Sequence, residues 1–494
     1  MKIKKLFNDI PSVKIRGSKE IEISGICNNS KFAFPKCLYI AKKGNTFNGS
    51  QFVLQAVAAG AIAVLCDIYD PFLENIVQII HEKPNEIEGE IAKRYFEDPS
   101  SKIFTIGITG TNGKTTTSYL VKHIFDQLKN RCGLVGTIET VTGQRKEISS
   151  HTTNDCISNQ KFLREMIKEN LKAAILEVSS HGLVQNRVNN ISFDIAVFTN
   201  LFPEHLDYHK TMQNYLDAKK ILFKNLSFTS LAVLNLDSDV FEEIKNICPA
   251  KIITYAIEKK ADVTAENILF SSCGTEFDLC YRDKKIKIRL SLLGKFNVYN
   301  ALAAVSVAIA KGFSLEKIQK ALSSKISVPG RLEKLLVNTP FDIYVDFAHT
   351  EDAIEKTLIT LKMIKKNKII SVFGCGGDRD KGKRGKMAGV CEKYCDLCIV
   401  TSDNPRSEDP EIICKEICKG FKKKSSYIVE IDRYQAIKKA VSCAENKDIV
   451  LIAGKGHESK QIFFNKTVDF DDRKIAKEIC CQILKNHYNK ISAL

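Results

Sequence analysis

Between Ile106 and Thr117 the chain reads IGITGTNGKTTT, an apolar run that passes through glycines into a lysine and three threonines. Few folds accept that order. A buried strand has to end in a turn built on glycine, and a helix has to begin on the lysine. The N–H groups of such a turn converge on an anion, and Gly107, Gly110 and Gly113 are expected to let the backbone aim them at phosphate oxygens. Gly110, Thr111, Asn112, Gly113, Lys114, Thr115 and Thr116 are therefore the candidate contacts to a nucleoside triphosphate. Lys114 supplies a cation, and the Thr115 or Thr116 hydroxyl can ligate magnesium. The generic Walker spacing is not met, because Ile108 stands where its first glycine belongs.

A chain of 494 residues exceeds one hydrophobic core, and at roughly 100 to 200 residues per domain it should hold about three. Residues 1–98 form a mixed block: strand-like runs at Ile21–Ile26 and Cys37–Ala41, a helix-like Phe52–Gly60, and an apolar run Ala61–Cys66. Glu97–Ser101, with its proline, reads as a linker. Residues 99–329 open with the phosphate loop and alternate helices with buried-strand candidates Ala173–Val178, Phe193–Thr199 and Ser230–Leu236, the pattern of a parallel sheet. Turn chemistry at Val328–Arg331 marks the next boundary. Residues 330–494 alternate again, with strands expected at Phe341–Phe347, Lys368–Phe373, Asp396–Val400 and Asp448–Ala453. The fold class is α/β.

No run reaches the roughly 20 apolar residues of a membrane span, and no signal-peptide stretch opens the chain, so a cytoplasmic protein with no membrane insertion is expected. The 17 cysteines then read as reduced thiols, and Cys391, Cys395 and Cys398 as packing residues rather than a zinc site. A net charge of +16 suits anionic small molecules. Trp is absent and no arginine–aromatic alternation occurs, so no nucleic-acid partner is expected.

Chemistry should gather at strand ends. Glu177, opening EVSSHGLVQ, and His205, within NLFPEHLDYH, follow adjacent strand candidates. A carboxylate and a histidine beside a phosphate loop can hold magnesium against the phosphates. Gly374–Gly377 follows another strand, but GCGGDR lacks the third glycine of a dinucleotide fingerprint.

An ordered set of motifs resembles the Mur ligase family, specifically its diaminopimelate-adding branch: TGTNGKTTT from Thr109, TTND from Thr152, EVSSHGLVQNR from Glu177, HLDYH from His205, YLDAKKILF from Tyr215, GKFNVYNALAA from Gly294, PGRLE from Pro329, VDFAHTEDA from Val345, GCGGDRDKGKR from Gly374, DNPR from Asp403 and GKGHE from Gly454. The resemblance implies three domains: a small mixed α/β domain for the UDP-sugar, a central P-loop ATPase-like parallel-sheet domain, and a C-terminal Rossmann-like domain for the amino acid. It also implies an ATP-dependent ligase. ATP phosphorylates the terminal carboxylate of a UDP-N-acetylmuramoyl dipeptide, and an amine of meso-diaminopimelate displaces phosphate from the resulting acyl phosphate. The partners expected are these small molecules, with Mg2+ as cofactor and a monomeric protein.

The resemblance further implies residue roles. Lys114, Glu177, His205 and Lys219 are catalytic, and Lys219 aligns with a lysine that takes up carbon dioxide as a carbamate. Thr115, Glu177, His205 and carbamylated Lys219 would hold the metal. Ser30, Thr152, Thr153, Ser179, Gln185 and Arg187 would bind the UDP-sugar peptide. Asn300, Arg331 and Asp346 would meet the nucleotide, with His349 in the same region. Arg379, Asp403, Asn404, Pro405, Arg406, Gly454 and Glu458 would bind diaminopimelate. Arg406 would grip the carboxylate that distinguishes it from lysine. Departures from the family pattern fall mainly near the uridine site: Asn29-Ser30-Lys31 for aspartate-serine-arginine, and Asn48-Gly49-Ser50 for aspartate-glycine-histidine. Asn154 replaces a proline, and Glu204 an aspartate. Competing readings are a lysine-adding enzyme of the same branch, a folylpolyglutamate synthase, a phosphate-loop nucleotide switch and a precursor-binding module without catalysis.

Overall fold

The computed structural model describes residues 1–44 and 48–491, with side chains described through Ile483. Its backbone divides into two compact units, Met1–Tyr255 with Ala303–Gly312, and Ala256–Leu302 with Phe313–Leu494. The three blocks of the sequence are thus distributed over two units, and 256–302 and 313–329 group with the last block.

The first unit holds two sheets. The smaller has the order Lys14–Arg16, Val77–Ile80, Ala63–Cys66, Cys37–Ile40, Gly25–Cys27, antiparallel only at the first pairing. Cys37–Ile40 and Ala63–Cys66 are buried throughout, as parallel strands covered on both faces must be. Ile91 and Ala92 of the helix Pro84–Tyr95 join Leu38, Ile40 and Leu65 in one core. Glu97–Ser101 is no loose linker: Asp98 takes a left-handed turn and Pro99–Ser101 winds a single 3-10 turn.

The larger sheet places Phe104–Thr109 between Ile195–Phe198 and Ala173–Glu177, all parallel, with Cys132–Val135 beyond the latter and Leu231–Asn235 then Lys251–Ala256 beyond the former. Register pairs Glu177 with Ile108 and Phe198 with Thr109. The strands therefore release their chains at one level, where ligands of open α/β sheets bind. Gly107 corrects an expectation: it lies within the strand, not the turn. A side chain there would overlap the Phe193 ring, so its glycine serves packing.

The second unit contains a sheet ordered Glu333–Lys334, Asp342–Asp346, Ile449–Ala453, Ile369–Phe373, Leu397–Val400, Tyr427–Val429, antiparallel only at its first pair. Two hydrophobic clusters cover it, one containing Leu358, Met387 and Ile417, the other Ile437, Val441 and Ile479. The same unit has an antiparallel meander, Val263–Ser271, Gly274–Tyr281 and Lys284–Leu290. Among the described residues no helix is long and apolar enough to cross a membrane.

Candidate active site

The phosphate loop leaves its strand after Thr109, and Gly110 and Gly113 carry φ of +147° and +89°. A Cβ on Gly110 would also overlap the Thr199 hydroxyl. The loop is pinned by Thr111 N–H to the Asn200 carbonyl at 2.9 Å and by Asn112 N–H to Asn200 Oδ1 at 2.9 Å. Helix Lys114–Gln127 starts on the loop, so its N–H groups face any phosphate there. Lys114 Nζ donates to the carbonyls of Gly110 and Thr111, each at 2.8 Å, which closes the loop around the ammonium.

Glu177, 1% exposed, lies against this loop. Its carboxylate accepts from Thr115 Oγ1 at 2.9 Å, Ser118 Oγ at 3.2 Å and Thr137 Oγ1 at 2.7 Å, and from the Thr137 N–H. Of the two candidate threonines, Thr115 is thus the one whose hydroxyl meets the carboxylate. Thr137 and Ser118 went unnoticed in the sequence, because neither lies in a motif that names it.

Lys219 sits on the helix Met212–Lys224, on the stripe that buries Tyr215, Leu216, Leu222 and Phe223. It is 1% exposed, with Nζ 4.3 Å from the Tyr215 ring centre. Burial, and then the Lys114 charge, push its pKa well below the ordinary lysine value, with Glu204 opposing. Such desolvation favours the neutral amine, the form that reacts with carbon dioxide. In sequence alone Lys219 reads as a helix-surface lysine, singled out only by the family resemblance; its burial is a finding of the structure.

His205 adopts a left-handed backbone, φ +57°, and its ring packs edge-on to His181 at 4.8 Å. Burial holds the pKa of His205 down; Glu204 opposes this while Lys114 and Lys219 add to it. Burial and then His205 lower His181 to about 4. Both rings are neutral near pH 7, as a metal-binding imidazole must be. The Tyr215 hydroxyl reaches Thr111 Oγ1 at 3.1 Å, tying the Lys219 helix to the phosphate loop.

Among the described residues no three His, Cys, Asp or Glu side chains form a metal-binding group. The donors present nevertheless fit magnesium: the Thr115 hydroxyl and Glu177 carboxylate are hard oxygens in contact with each other at a phosphate loop. The remaining ligands would come from phosphate oxygens, His205 and a carbamate on Lys219.

The residues expected at the UDP-sugar peptide form one network apart from Ser30. Thr153 Oγ1 bonds the Glu177 carbonyl at 2.9 Å and Ser179 Oγ at 3.1 Å. Thr152 Oγ1 lies 3.1 Å from Thr137 Oγ1, which accepts from it while giving its own proton to Glu177. Arg187 donates to the Thr153 carbonyl at 2.8 Å and grips Gln185 Oε1 through two nitrogens at 3.0 and 2.7 Å. Ser30 instead donates to Gln55 at 2.8 Å. The departures at Asn29 and Asn48 each have a local role, their side-chain oxygens accepting from the N–H groups of Lys31 and Ser50 to start a 3-10 turn. A link that the sequence did not suggest joins Asn28 to Glu88 at 2.7 Å and to Asp155 of the TTND motif at 3.3 Å.

In the second unit, Asn300 is buried on the helix Lys295–Ala310 and donates to Asn297 Oδ1 at 3.0 Å. Asp346 accepts from the N–H groups of Leu332 and Ala348 at 2.5 and 3.0 Å and from Thr357 Oγ1 at 3.1 Å. Burial raises its pKa. Arg331 lies over the Phe347 ring at 4.5 Å, and His349 Nδ1 bonds the Phe347 carbonyl at 2.8 Å.

Asp403–Arg406 follows the strand Leu397–Val400, and Gly454–Glu458 follows Ile449–Ala453. The two loops meet: Asn404 Nδ2 donates to Glu458 Oε2 at 2.8 Å. Arg406, left-handed at φ +51°, donates to the Gly377 carbonyl at 2.8 Å. Burial and then the Arg379 charge lower its pKa, while Asp403 and Glu458 raise it. Arg379, Asp403, Arg406 and Glu458 therefore share one electrostatic neighbourhood. The glycine run at Gly374–Gly377 has a structural explanation: a Cβ on Gly377 would overlap the Pro405 carbonyl, and one on Gly376 would crowd the Arg406 guanidinium. Arg433, missed in sequence, is fully buried against Asp472 at 2.7 Å, and it also donates to the Ala453 and Ser402 carbonyls at 3.0 and 3.4 Å, bracing the strand ends that carry both loops.

A phosphate loop with a carboxylate and a desolvated lysine, together with a second parallel sheet whose loops present paired guanidinium and carboxylate groups, defines a nucleotide-dependent enzyme acting on small charged molecules. The comparisons agree. Residues 108–308 match the Mur ligase middle domain, and 330–456 the Mur ligase, glutamate ligase domain. A UDP-N-acetylmuramoyl-L-alanyl-D-glutamate–2,6-diaminopimelate ligase of Chlamydia caviae is 44% identical over 97% of this chain and 99% of its own. One of Clostridium acetobutylicum is 40% identical over 97% and 99%. A solved structure of such a ligase superposes with a TM-score of 0.69 at 31% identity, covering 98% of this chain and 99% of that one. The chain belongs to the Mur ligase family.

Proposed function

We propose that this protein is an ATP-dependent, ADP-forming ligase that adds meso-diaminopimelate to UDP-N-acetylmuramoyl-L-alanyl-D-glutamate through an acyl phosphate, a step of peptidoglycan precursor synthesis. The observation that carries the reading is the loop cluster at Arg406, where the Arg406 and Arg379 side chains flank Gly376 and Asn404 bonds Glu458, with Asp378, Asp403 and Glu458 acting on the Arg406 charge. Diaminopimelate ends in a carboxylate and an ammonium where lysine has only the ammonium. Arg406 with Arg379 suits the carboxylate, and Glu458 the ammonium. A lysine side chain would instead bring its ammonium against a guanidinium, which disfavours the lysine-adding alternative.

The chain's own groups then divide the work. Gly110–Thr116 hold the triphosphate, and Lys114 with the helix N–H groups stabilises charge on the transferring phosphoryl as the glutamyl carboxylate attacks it. Thr152, Thr153, Ser179, Gln185 and Arg187 fix that carboxylate and its peptide. Asn300, Arg331 and Asp346 receive the nucleoside. Mg2+, held by Thr115, Glu177, His205 and the Lys219 carbamate, would neutralise the two anions brought together. Arg406, Asn404 and Glu458 orient diaminopimelate so that its free amine reaches the acyl carbon, and phosphate departs as the amide forms. We also assign 1–98, 99–329 and 330–494 as the UDP-sugar, ATP and amino-acid domains of a cytoplasmic monomer.

Phosphoryl transfer to the carboxylate moves one carboxylate oxygen into phosphate. With heavy oxygen in the terminal glutamyl carboxylate, the phosphate released during ligation should carry the label. Unlabelled phosphate accompanied by full ligation would overturn the acyl-phosphate route.

A further inference from the structure

The amino-acid pocket contains a charged group to which the reading above gives no role. Lys455 lies between Gly454 and Gly456 in the loop after the strand Ile449–Ala453, and it is 0% exposed. Its ammonium donates to Asn404 Oδ1 at 3.2 Å, to Glu458 Oε2 at 3.3 Å and to the Lys460 carbonyl at 2.6 Å. Those are its three donors, so it has nothing left for a ligand. Asn404 Oδ1 also accepts from the Ile462 N–H at 3.1 Å, and the Asn404 amide donates to Glu458 Oε2 at 2.8 Å. The orientation of the Asn404 amide is thereby fixed from both ends, and Glu458 Oε2 is occupied twice. Glu458 Oε1 makes no hydrogen bond among the described residues.

We infer that Lys455 is a positioning residue for the incoming amino acid: a buried cation that locks Asn404 and Glu458 into one unit and presents Glu458 Oε1 to the substrate ammonium. Two physical consequences follow. Without the cation, Glu458 is a carboxylate that keeps only the neutral Asn404 amide, so it is free to turn toward Arg406, whose charge it already feels. Without Lys455, Asn404 also loses one of the two donors that hold its oxygen inward, so its amide can rotate away from Glu458. Both changes degrade the site for diaminopimelate and leave the phosphate loop untouched. The inference rests on the assignment of Asn404 and Glu458 to the diaminopimelate pocket.

The test is steady-state kinetics of Lys455→Gln and Glu458→Gln, separately and combined, with each of the three substrates varied. Lys455→Gln should raise the KM for diaminopimelate about tenfold or more, as loss of a charge-assisted bond does, with the KM for ATP and for the UDP-muramoyl dipeptide changed by less than about twofold. Because Lys455 acts through Glu458, the double variant should be no worse than the poorer single variant. An unchanged diaminopimelate KM in Lys455→Gln, equal losses for all three substrates, or additive effects in the double variant would each overturn it. So would a Lys455→Gln protein that does not fold, since Lys455 would then be a folding determinant. If Glu458→Gln itself leaves the diaminopimelate KM unchanged, the pocket assignment has failed, a different outcome from a failure of Lys455 alone.

Discussion

Replacing Arg406 by alanine removes one guanidinium and almost nothing else, since position 406 is already left-handed and the side chain's direct bonds are to the Gly377 and Asn404 carbonyls. In the proposed complex the guanidinium would exchange these carbonyl bonds for a carboxylate gripped through two nitrogens. A hydrogen bond to a charged group contributes about 1.5–3 kcal/mol. Two such bonds would give about 3–6 kcal/mol, and because Arg406 is only half-buried the lower end applies. About 3 kcal/mol corresponds to roughly a hundredfold loss of kcat/KM for diaminopimelate. The KM for ATP should stay within about twofold of wild type, because no interaction with phosphate is removed. Coupled ADP release at varied diaminopimelate, with ATP and the UDP-muramoyl dipeptide saturating, reads both quantities. Wild-type kcat/KM for diaminopimelate in a folded Arg406→Ala protein would refute the role given to the guanidinium.

Lys219→Ala should nearly abolish ligation while leaving the melting temperature close to wild type, and native mass spectrometry of the wild-type protein in bicarbonate should show the added mass of one carbon dioxide that the variant lacks. Arg433→Met should destabilise the second unit by about 3–5 kcal/mol, because it strands Asp472 as a buried unpaired carboxylate; urea unfolding followed on that unit measures it. The bonds from the Arg384 guanidinium, then the Asp378 backbone N–H and the Lys381 ammonium, lower the pKa of Glu408 from its ordinary 4.5 to about 2. A depressed carboxylate contributes stability that is complete above its unfolded value and is lost as pH falls through the folded one. Acid unfolding should therefore steepen below about pH 4.5, and Glu408→Gln should remove that part of the dependence.

Most of the parallel strands were legible because they are buried on both faces and read as unbroken apolar runs: Ala173–Glu177, Ile369–Phe373 and Ile449–Ala453 are buried at every position. The meander Val263–Leu290 was not. Its last strand, KKIKIRL, buries only Ile288 and Leu290 fully among exposed lysines and an arginine, and in a lysine-rich chain that pattern is hard to separate from surface. The phosphate loop declared itself through glycine spacing, since only glycine suits Gly110 and Gly113. Gly107, with the same residue type three positions earlier, serves packing, a distinction that depends on Phe193 lying far off in sequence. Lys219 reads in sequence as a helix-surface lysine and stood out only through the family resemblance, and Lys455, Arg433 and Thr137 had no local signature: their partners are Asn404, Asp472 and Glu177, brought to them only by the folded sheet.

The most direct test of the central claim is ADP release by the purified protein given ATP, magnesium and UDP-N-acetylmuramoyl-L-alanyl-D-glutamate, with meso-diaminopimelate and L-lysine supplied in parallel. ADP release coupled to tripeptide formation is expected with diaminopimelate and little of it with lysine. Equal or greater turnover with lysine, or ADP release that requires neither the dipeptide nor the amino acid, would contradict that claim.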